Sequence, residues 1–263
     1  MKTIKLLLTC ILLNILPLFS IASIEIEGSL KRTHKGMKGD VYKGEIKIHN
    51  SDKFDQELKV YQTDLLYNYE DFTFYEEPIT HSRSNANWIK YSPKTVIVKG
   101  NETIYVQYEV TIPENDTING TYWSVLMVEG VTPIDPNQPG ELNINTITRY
   151  AVQVVTEIAD KGIGKLEFLE PTLITEGDQL FLAVDIKNTG EHYIVPDVSI
   201  ELYDDNGESI KKIKAPKKGL YPNTSVRFRF NLEGIVAEKT YQTLIVAAGQ
   251  EEDVFGLEYT LYF

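Results

Sequence analysis

The chain has 263 residues, and its acidic residues outnumber its basic residues by 38 to 26, which gives a formal charge of −12. This excess of negative charge argues against nucleic acid or an anionic membrane as a partner. Cys10 is the only cysteine, so the sequence offers neither a disulfide nor a cysteine-based metal site.

The first 23 residues have the layout of a secretory signal peptide. Lys2 and Lys5 precede an apolar run, and the small residues Ala22 and Ser23 follow it. We expect residues 1–23 to be removed on export, which leaves a mature chain without a transmembrane anchor. That chain loses two of its 26 basic residues, so its formal charge is −14. An exported chain without disulfides fits the periplasm or the cell surface of a bacterium.

Two series of short alternating runs follow the signal peptide. The first extends over residues 24–158 and the second over residues 166–263, and Gly, Pro, Asn or Asp separate the runs at intervals of about 8–12 residues. Such spacing without an amphipathic helix is typical of all-β sandwich proteins. The glycine-bearing segment ADKGIGK, residues 159–165, lies between the series, and we expect it to be a linker between two sandwich domains.

Two local features interrupt this regular pattern. Residues 62–87 are less regular than their surroundings and rich in aromatic and acidic side chains, so we expect a long excursion from the first sandwich there. In the second series, Asp205, Asn206 and Gly207 separate two runs. Because Asn-Gly tolerates the positive φ angles of a tight turn, they predict a hairpin.

Residues 141–155, ELNINTITRYAVQVV, alternate between apolar and polar side chains along their whole length. This period of two predicts a strand with one apolar face. Such a strand would be about 50 Å long, whereas an ordinary strand has about five or six residues. Arg149 stands near its middle on the polar face.

No pattern in the sequence points to catalysis or to a cofactor. The four histidines are isolated from one another, so no metal-ligand spacing occurs. Ser124 lacks the GxSxG turn of an exposed nucleophile. The acidic pairs read as solvated turns, because neighbouring carboxylates do not span a cleft as glycoside hydrolysis requires. We therefore expect a non-catalytic protein without a metal or cofactor.

Part of the first domain resembles a known family. Residues 87–110, NWIKYSPKTVIVKGNETIYVQYEV, are similar to a segment of the bacterial periplasmic pilus-assembly chaperones, in which a Ser-Pro pair leads a strand, a turn follows and a strand of alternating valines comes next. Ser92 and Pro93 match that pair, whereas Lys99 and Gly100 replace the usual proline and glycine of the turn. The resemblance implies two tandem immunoglobulin-like β-sandwiches.

A second resemblance concerns the next segment, TIPENDTINGTYWSVLMVEG. It is similar to Gram-positive cell-surface proteins that bind peptidoglycan and interact with WxL proteins, which share immunoglobulin-like architecture. The matching residues are Pro113, Gly120, Thr121 and Tyr122. The second domain resembles the adhesion-type immunoglobulin modules of exported bacterial proteins, which bind or space rather than catalyse.

The chaperone resemblance implies a partner-binding site. In that family the last strand of the first domain presents alternating apolar side chains to a subunit, and a basic residue on it anchors the subunit's terminal carboxylate. By this resemblance Leu142 and Ile144 are donated side chains and Arg149 is the basic residue. A second basic residue near the first strand completes the anchor; Arg32 is the best match, with Lys31 one position away.

Two functions follow from these observations. The first is an exported protein that binds another polypeptide by edge-strand pairing, chaperone-like in the assembly of surface fibres or pili. The second is a cell-surface structural protein or adhesin that binds cell wall or a host ligand, with peptidoglycan as the alternative partner and residues 62–87 as the contact patch. In a third reading, the long strand only closes its own sandwich and Arg149 is solvated.

Overall fold

A computed structural model describes residues 24–131, 147–158, 163–236, 239–249 and 253–262. Strands make up 62% of the structure and helix 1%, which confirms the predicted all-β class. Among the described residues, none belongs to a helix long and apolar enough to cross a bilayer. The predicted signal peptide, residues 1–23, lies outside the described residues.

The N-terminal half contains ten strands, which form two sheets. They are β1 (Ile24–Glu27), β2 (Lys31–Gly36), β3 (Val41–Asn50), β4 (Gln56–Tyr67), β5 (Thr73–Glu76), β6 (Ile89–Ser92), β7 (Thr95–Val98), β8 (Thr103–Thr111), β9 (Gly120–Val131) and β10 (Arg149–Ile158). One sheet has the order β1-β3-β8-β6, and the other has the order β2-β10-β9-β4-β5, with β7 also paired to β4. The pairing of β2 with β10 is parallel.

The C-terminal half contains eight strands in two further sheets. They are β11 (Leu166–Phe168), β12 (Thr172–Glu176), β13 (Gln179–Asn188), β14 (Asp197–Tyr203), β15 (Ser209–Lys214), β16 (Ser225–Asn231), β17 (Thr240–Ala248) and β18 (Val254–Tyr262). One sheet has the order β11-β13-β12, with β16 paired to β13, and the other has the order β15-β14-β17-β18. The chain therefore consists of two tandem immunoglobulin-like sandwiches, as predicted.

Each sandwich encloses its own apolar core. Ile46, Ile48, Val106, Leu126 and Val128 pack in the N-terminal core. A separate cluster, which includes Leu182, Val184, Ile186, Phe228 and Phe230, fills the C-terminal core. In both cores the buried residues of most strands occupy every second position, because successive side chains point to opposite faces of a sheet. The alternation in the sequence is thus what positions the two layers.

The region 62–87 contains more regular structure than its sequence predicts. β4 continues to Tyr67, β5 forms a short hairpin with it, and a single turn of 3-10 helix lies at Ala86–Trp88. The predicted hairpin at residues 205–207 is confirmed, since β14 and β15 pair on either side of it and Gly207 has φ +78°.

The strand predicted for residues 141–155 is described only from Arg149 onward. β10 begins at Arg149, and Ile147 and Thr148 precede it without strand geometry. Residues 141–146 lie outside the described residues, and so do residues 159–162 of the predicted linker. The even-numbered residues of β10 face the N-terminal core, which contains Val152 and Val154.

Candidate functional site

The outer face of the sheet that contains β10 is partly covered by the C-terminal sandwich. Residues 120–128 of β9 are all buried, whereas a strand with one wet face would alternate. The odd-numbered residues Trp123, Val125 and Met127 cluster with Tyr221 of the C-terminal sandwich. We call this outer face, formed by odd-numbered residues of β2, β10, β9 and β4, the cleft face.

Aromatic rings join the two sandwiches across the cleft face. The Trp123 indole stacks on the Tyr221 ring with the centroids 4.4 Å apart, and on the His81 ring with the centroids 4.2 Å apart. The indole Nε1 donates a hydrogen bond of 2.8 Å to the carbonyl oxygen of Leu65. Tyr193 lies beside Tyr221, with the ring centroids 4.6 Å apart. Stacked rings of this kind hold the two sandwiches together by burial and by ring contact.

Hydrogen bonds fix the same contact. The backbone N-H of Thr121 donates to the carbonyl oxygen of Glu191 at 2.8 Å. The Tyr221 hydroxyl donates to Oε1 of Gln153 on β10 at 2.6 Å. Burial raises the pKa of Tyr221 above its ordinary value, so the hydroxyl stays protonated and remains a donor.

Lys31, the first residue of β2, places its ammonium group among these rings. Its Nζ lies 2.9 Å from the Tyr193 ring centroid and 5.2 Å from that of Tyr221. Burial lowers the pKa of Lys31 from 10.5 to about 8, although the negative charge of Glu157 acts in the opposite direction. Within the part of the chain that the structure describes, no carboxylate oxygen lies within 4.0 Å of this Nζ. Lys31 is thus a half-buried cation for which the described residues provide no ion-pair partner.

The strand register decides which basic residue of β2 reaches the cleft face. Lys31 pairs with Gln153 and Arg32 pairs with Val154. Partners in adjacent strands point to the same side of a sheet. Because Gln153 reaches Tyr221 while Val154 is in the N-terminal core, Lys31 lies on the cleft face and Arg32 on the opposite face.

Arg32, the basic residue that the sequence favours as part of the anchor, makes its contacts with the neighbouring residues Glu27 and Gly28. Its Nη2 donates to the carbonyl oxygen of Glu27 at 2.9 Å, across the connection between β1 and β2. The guanidinium also lies against Gly28, where a Cβ atom would come within 3.1 Å of Nη1. Gly28 has φ +87°, and its missing side chain leaves room for the guanidinium. Arg32 therefore fixes the segment that leads to Lys31.

Arg149 lies on the cleft face, at the other end of β10. Its Nε is 2.9 Å from Oε2 of Glu129, its register partner on β9. The Tyr61 hydroxyl donates to the same carboxylate oxygen at 2.5 Å. Arg149 and Gln153 are four positions apart along the strand, a distance of about 13 Å. The structure thus does not bring Arg32 and Arg149 together, because they occupy opposite faces.

One side of β10 is open at the end that carries Arg149. Residues 149–158 pair with β9 on one side, but only residues 153–158 pair with β2 on the other. Residues 149–152 therefore form a strand edge without a β partner among the described residues. A free edge offers backbone N-H and C=O groups to another strand. Leu142 and Ile144, the predicted donated side chains, lie outside the described residues.

A buried cluster of titratable groups lies behind the stacked rings. Asp64 is fully buried and accepts hydrogen bonds from the Ser84 hydroxyl at 2.6 Å and from the backbone N-H of Thr80 at 2.8 Å. Nε2 of His81 lies 3.7 Å from Oδ2 of Asp64. These hydrogen bonds to Asp64 fix residues 80–84 beside Trp123. No group of three or more potential metal ligands occurs among the described residues.

The sequence matches no protein-family model, and a comparison with curated proteins gives no match either. Among solved structures, the class 5 fimbriae chaperone CfaA is 13% identical with a TM-score of 0.49, over 90% of this chain and 98% of that chain. A chain of the CsuC-CsuE chaperone-tip adhesion subunit pre-assembly complex from Acinetobacter baumannii is 14% identical with a TM-score of 0.46, over 89% and 98%. A chain of the Salmonella enterica SafA pilin-SafB chaperone complex is 11% identical with a TM-score of 0.43, over 92% and 98%.

These structural neighbours are pilus-assembly chaperones of the chaperone-usher family, with two immunoglobulin-like domains, and they match the resemblance seen in the sequence. At such low identities the likeness concerns the fold alone.

The sequence analysis did not identify several residues at the cleft face. Gln153, Tyr193 and Tyr221 belong to three distant strands or loops, and no local pattern distinguishes them. Trp123 lies inside a long apolar run, where a residue that packs between domains looks like any core residue. Only the lysine beside Arg32 carried a signal, through its position in the chaperone resemblance.

Proposed function

We propose that the protein is a non-catalytic, exported binding protein that holds another polypeptide along the cleft face, chaperone-like in the assembly of surface fibres or pili. Lys31 receives the C-terminal carboxylate of the partner, and the free edge at residues 149–152 pairs with its last strand. The observation that carries the proposal is the half-buried ammonium of Lys31, which lies next to that edge and has no ion-pair partner in the described part of the chain.

The electrostatics of Lys31 support an anionic ligand. Burial disfavours its charged form, as the lowered pKa of about 8 records. A carboxylate would supply the missing opposite charge and accept charge-assisted hydrogen bonds. Phosphate would satisfy the same charge, but the adjacent strand edge favours an anion at the end of an extended chain, because the two contacts can then be made together.

The strand edge supplies the second contact. Main-chain hydrogen bonds along residues 149–152 are independent of the partner's sequence, so they give affinity and set direction. Leu142 and Ile144 remain proposed donors of apolar side chains. Arg149 is proposed to set the register of the partner strand, and Arg32 to hold the segment that carries Lys31.

A matched pair of peptides tests the carboxylate. We expect an acetylated eight-residue peptide of alternating valine and serine with a free C-terminal carboxylate to bind about ten- to a hundredfold more tightly than the same peptide with a C-terminal amide, because a charge-assisted hydrogen bond contributes roughly 1.5–3 kcal/mol. The substitution Lys31→Met removes this preference. Lys35→Met is the control, since Lys35 lies on the same face of β2 but is paired with Glu157 at 3.4 Å.

The proton balance provides an independent measurement. A bound carboxylate returns the pKa of Lys31 toward its ordinary value, so binding at pH 8.5–9.5 takes up a proton. Titration calorimetry in two buffers of different ionisation enthalpy measures this uptake. Equal binding of acid and amide peptides, or an unchanged preference after Lys31→Met, would refute the proposal. Loss of binding on Arg149→Glu, with folding retained, would support the role of Arg149 in register.

A second candidate function rests on an exposed aromatic surface in residues 62–87. Phe72, Phe74, Tyr75 and Ile79 are 54%, 42%, 46% and 56% exposed, and the Phe72 and Phe74 rings stack. Such a patch suits an adhesin that contacts cell wall or a host ligand. Sedimentation with purified peptidoglycan, with Phe72→Ser and Phe74→Ser as the variant, tests it; retention by the wild type alone favours the adhesin.

A further inference from the structure

The strand β18 has an open edge. It pairs with β17 along its whole length and stands last in the sheet order β15-β14-β17-β18, and no described strand pairs with its other side. The Gly249 N-H donates to the carbonyl oxygen of Asp253 at 2.7 Å, in the same register. Because hydrogen-bonded pairs alternate in an antiparallel ladder, the odd-numbered residues of β18 bond to β17. The even-numbered residues, from Val254 to Tyr262, direct their N-H and C=O groups outward.

The two edges of this sheet differ in how they are protected. At the opposite edge, β15 reads SIKKIK, and its pairing with β14 contains a register shift. Lysines and bulges keep edge strands from pairing with other chains. In contrast, β18 reads VFGLEYTLY, has Glu258 as its only charged residue and pairs with β17 without a register shift. The β18 edge therefore remains suited to pairing.

The apolar core is incompletely covered beside β18. On β17 the inward residues Ile245 and Ala247 are fully buried. On β18 the inward residues Phe255, Leu257 and Tyr259 pack against the same core but are only partly buried. A further strand at this edge would cover them if it carried apolar side chains at alternate positions on the inner side.

A second copy of β18 has this pattern, and charges at the ends of the strand favour an antiparallel arrangement. Asp253 directly precedes β18 at one end. Lys239 directly precedes β17 and lies at the other end, because Thr240 pairs with Tyr262. Antiparallel pairing of two copies brings the acidic end of each toward the basic end of the other, whereas parallel pairing would align like charges.

The outward residues select the register of this pairing. Like charges directly opposite each other are destabilising, which argues against a register with Glu258 on the two-fold axis. A register with Tyr259 on the axis places Glu258 opposite Thr260 of the second copy. It also places Tyr262 opposite Gly256, where an aromatic ring can cover the missing side chain of an edge glycine.

We propose that two copies of this chain associate through β18, antiparallel and with Tyr259 at the two-fold axis, so that their four-stranded sheets join into one. A two-fold contact uses the same strand of both chains, so the assembly closes at two copies. Neither Lys31 nor β10 takes part. The inference is therefore independent of the proposed binding of another polypeptide.

Light scattering on the mature chain, residues 24–263, measures the association. We expect the mass to rise with concentration toward that of two chains and no further. Gly256→Pro removes an outward N-H without breaking a bond to β17, so this variant should have the mass of one chain. Lys214→Pro is the control at the β15 edge. Ala215 donates to Val198 at 2.9 Å, so the N-H of Lys214 also points outward, and this variant should still associate.

A charge-matched pair of variants tests the register. Thr260→Glu places a carboxylate opposite Glu258 of the second copy, twice in each dimer, and should raise the dissociation constant about five- to thirtyfold. Thr260→Lys places an opposite charge there and should retain or tighten the dimer. Far-UV circular dichroism and urea denaturation establish that each variant is folded.

The mass of one chain at every concentration would overturn the inference, and so would masses above two chains. A dimer that survives Gly256→Pro, or one that Lys214→Pro abolishes in a folded chain, would place the contact elsewhere. Equal weakening by the two Thr260 variants would overturn the register. Loss of the acid-over-amide preference in the peptide experiment concerns Lys31 alone and leaves this contact untouched.

Discussion

The two ends of the cleft face each hold a cation, and they hold it differently. Lys31 is half-buried against the Tyr193 ring and has no carboxylate within ion-pair distance among the described residues. Arg149 is largely exposed and lies 2.9 Å from its partner Glu129. An exposed paired ion contributes little to stability, whereas a half-buried unpaired ion is unfavourable until an anion arrives. The cation that lacks an opposite charge is therefore Lys31, at the end of the cleft face that contacts the C-terminal sandwich.

Removal of the stacked Trp123 ring should disrupt the contact between the two sandwiches. Trp123→Ala should lower the free energy of unfolding by about 3–5 kcal/mol, because the indole is 1% exposed and packs against both sandwiches. Urea denaturation followed by far-UV circular dichroism measures the loss. Phe72→Ala is a matched aromatic control, since Phe72 is 54% exposed and its loss should change stability by less than about 0.5 kcal/mol. A loss below about 1 kcal/mol for Trp123→Ala would contradict the description of the interface.

Acid should weaken the packing around Trp123, which stacks on His81. Burial lowers the pKa of His81 below 6.5, although Asp64 opposes the shift. On the opposite face of β2, burial lowers the pKa of His34 in the same direction. Below pH 6.5 the unfolded chain binds more protons than the folded chain, so stability falls as the pH drops and is fully present above 6.5. Urea denaturation at pH 7.5 and pH 5.5 measures the change. His81→Gln should reduce this pH dependence, and an unchanged slope would argue against the assignment to His81.

Substitution of Lys31 should have a smaller effect on stability. Lys31→Met should raise the free energy of unfolding at pH 7 by up to about 1 kcal/mol, after allowance for partial exposure, because it removes an unpaired half-buried charge. Between pH 8 and 9.5 the wild type should gain stability as the pH rises, since its folded-state pKa of about 8 lies below the unfolded value of 10.5. Denaturation midpoints across this range should show the gain in the wild type and not in the variant. Destabilisation by Lys31→Met would mean that the ring contact outweighs the burial cost.

The ion pair of Arg149 and Glu129 should have the smallest effect on stability. A double-mutant cycle on Arg149→Met and Glu129→Gln should give a coupling energy of about 0.2–1 kcal/mol, because the arginine side chain is 56% exposed. Denaturation of the two single variants and the double variant provides it. A coupling above about 2 kcal/mol would show that Arg149 is held as firmly as a buried ion pair, and the contrast with Lys31 would then be lost.

The architecture could be predicted from the sequence because alternation and turn chemistry are local. The hairpin at Asn206 and Gly207 follows from the positive φ angle that glycine accepts, and the inward residues of β14, DVSIELY, follow from its alternating pattern. Alternation fails where both residues of a pair are apolar. In β17 the adjacent residues Leu244 and Ile245 are both apolar, but Ile245 is fully buried and Leu244 is only half-buried.

The site could be predicted only in part because its geometry depends on distant pairings. β2 reads KRTHKG, which has no apolar side chain to reveal its inward face. The choice between Lys31 and Arg32 is made by the register with β10, more than 100 residues away in the chain. Tyr193 and Tyr221 come from the other sandwich, so their contact with Lys31 depends on how two domains pack. Glu129, the partner of Arg149, had no signal in the sequence, because the pair depends on the register of β9 with β10.

The parallel pairing of β2 with β10 also bears on the kinetics of folding. Arg32 and Val154 pair although more than 120 positions separate them, so this contact requires the closure of a long loop and contributes to a high contact order. The C-terminal β17–β18 pair, by contrast, joins neighbouring strands. A growing chain can complete the sheet that contains β10 only after Ile158 has been synthesised. Until then β9 lacks its pairing with β10, and its apolar side chains are incompletely buried. We therefore expect the N-terminal sandwich to form more slowly than the C-terminal one and to be the half that aggregates when folding is interrupted.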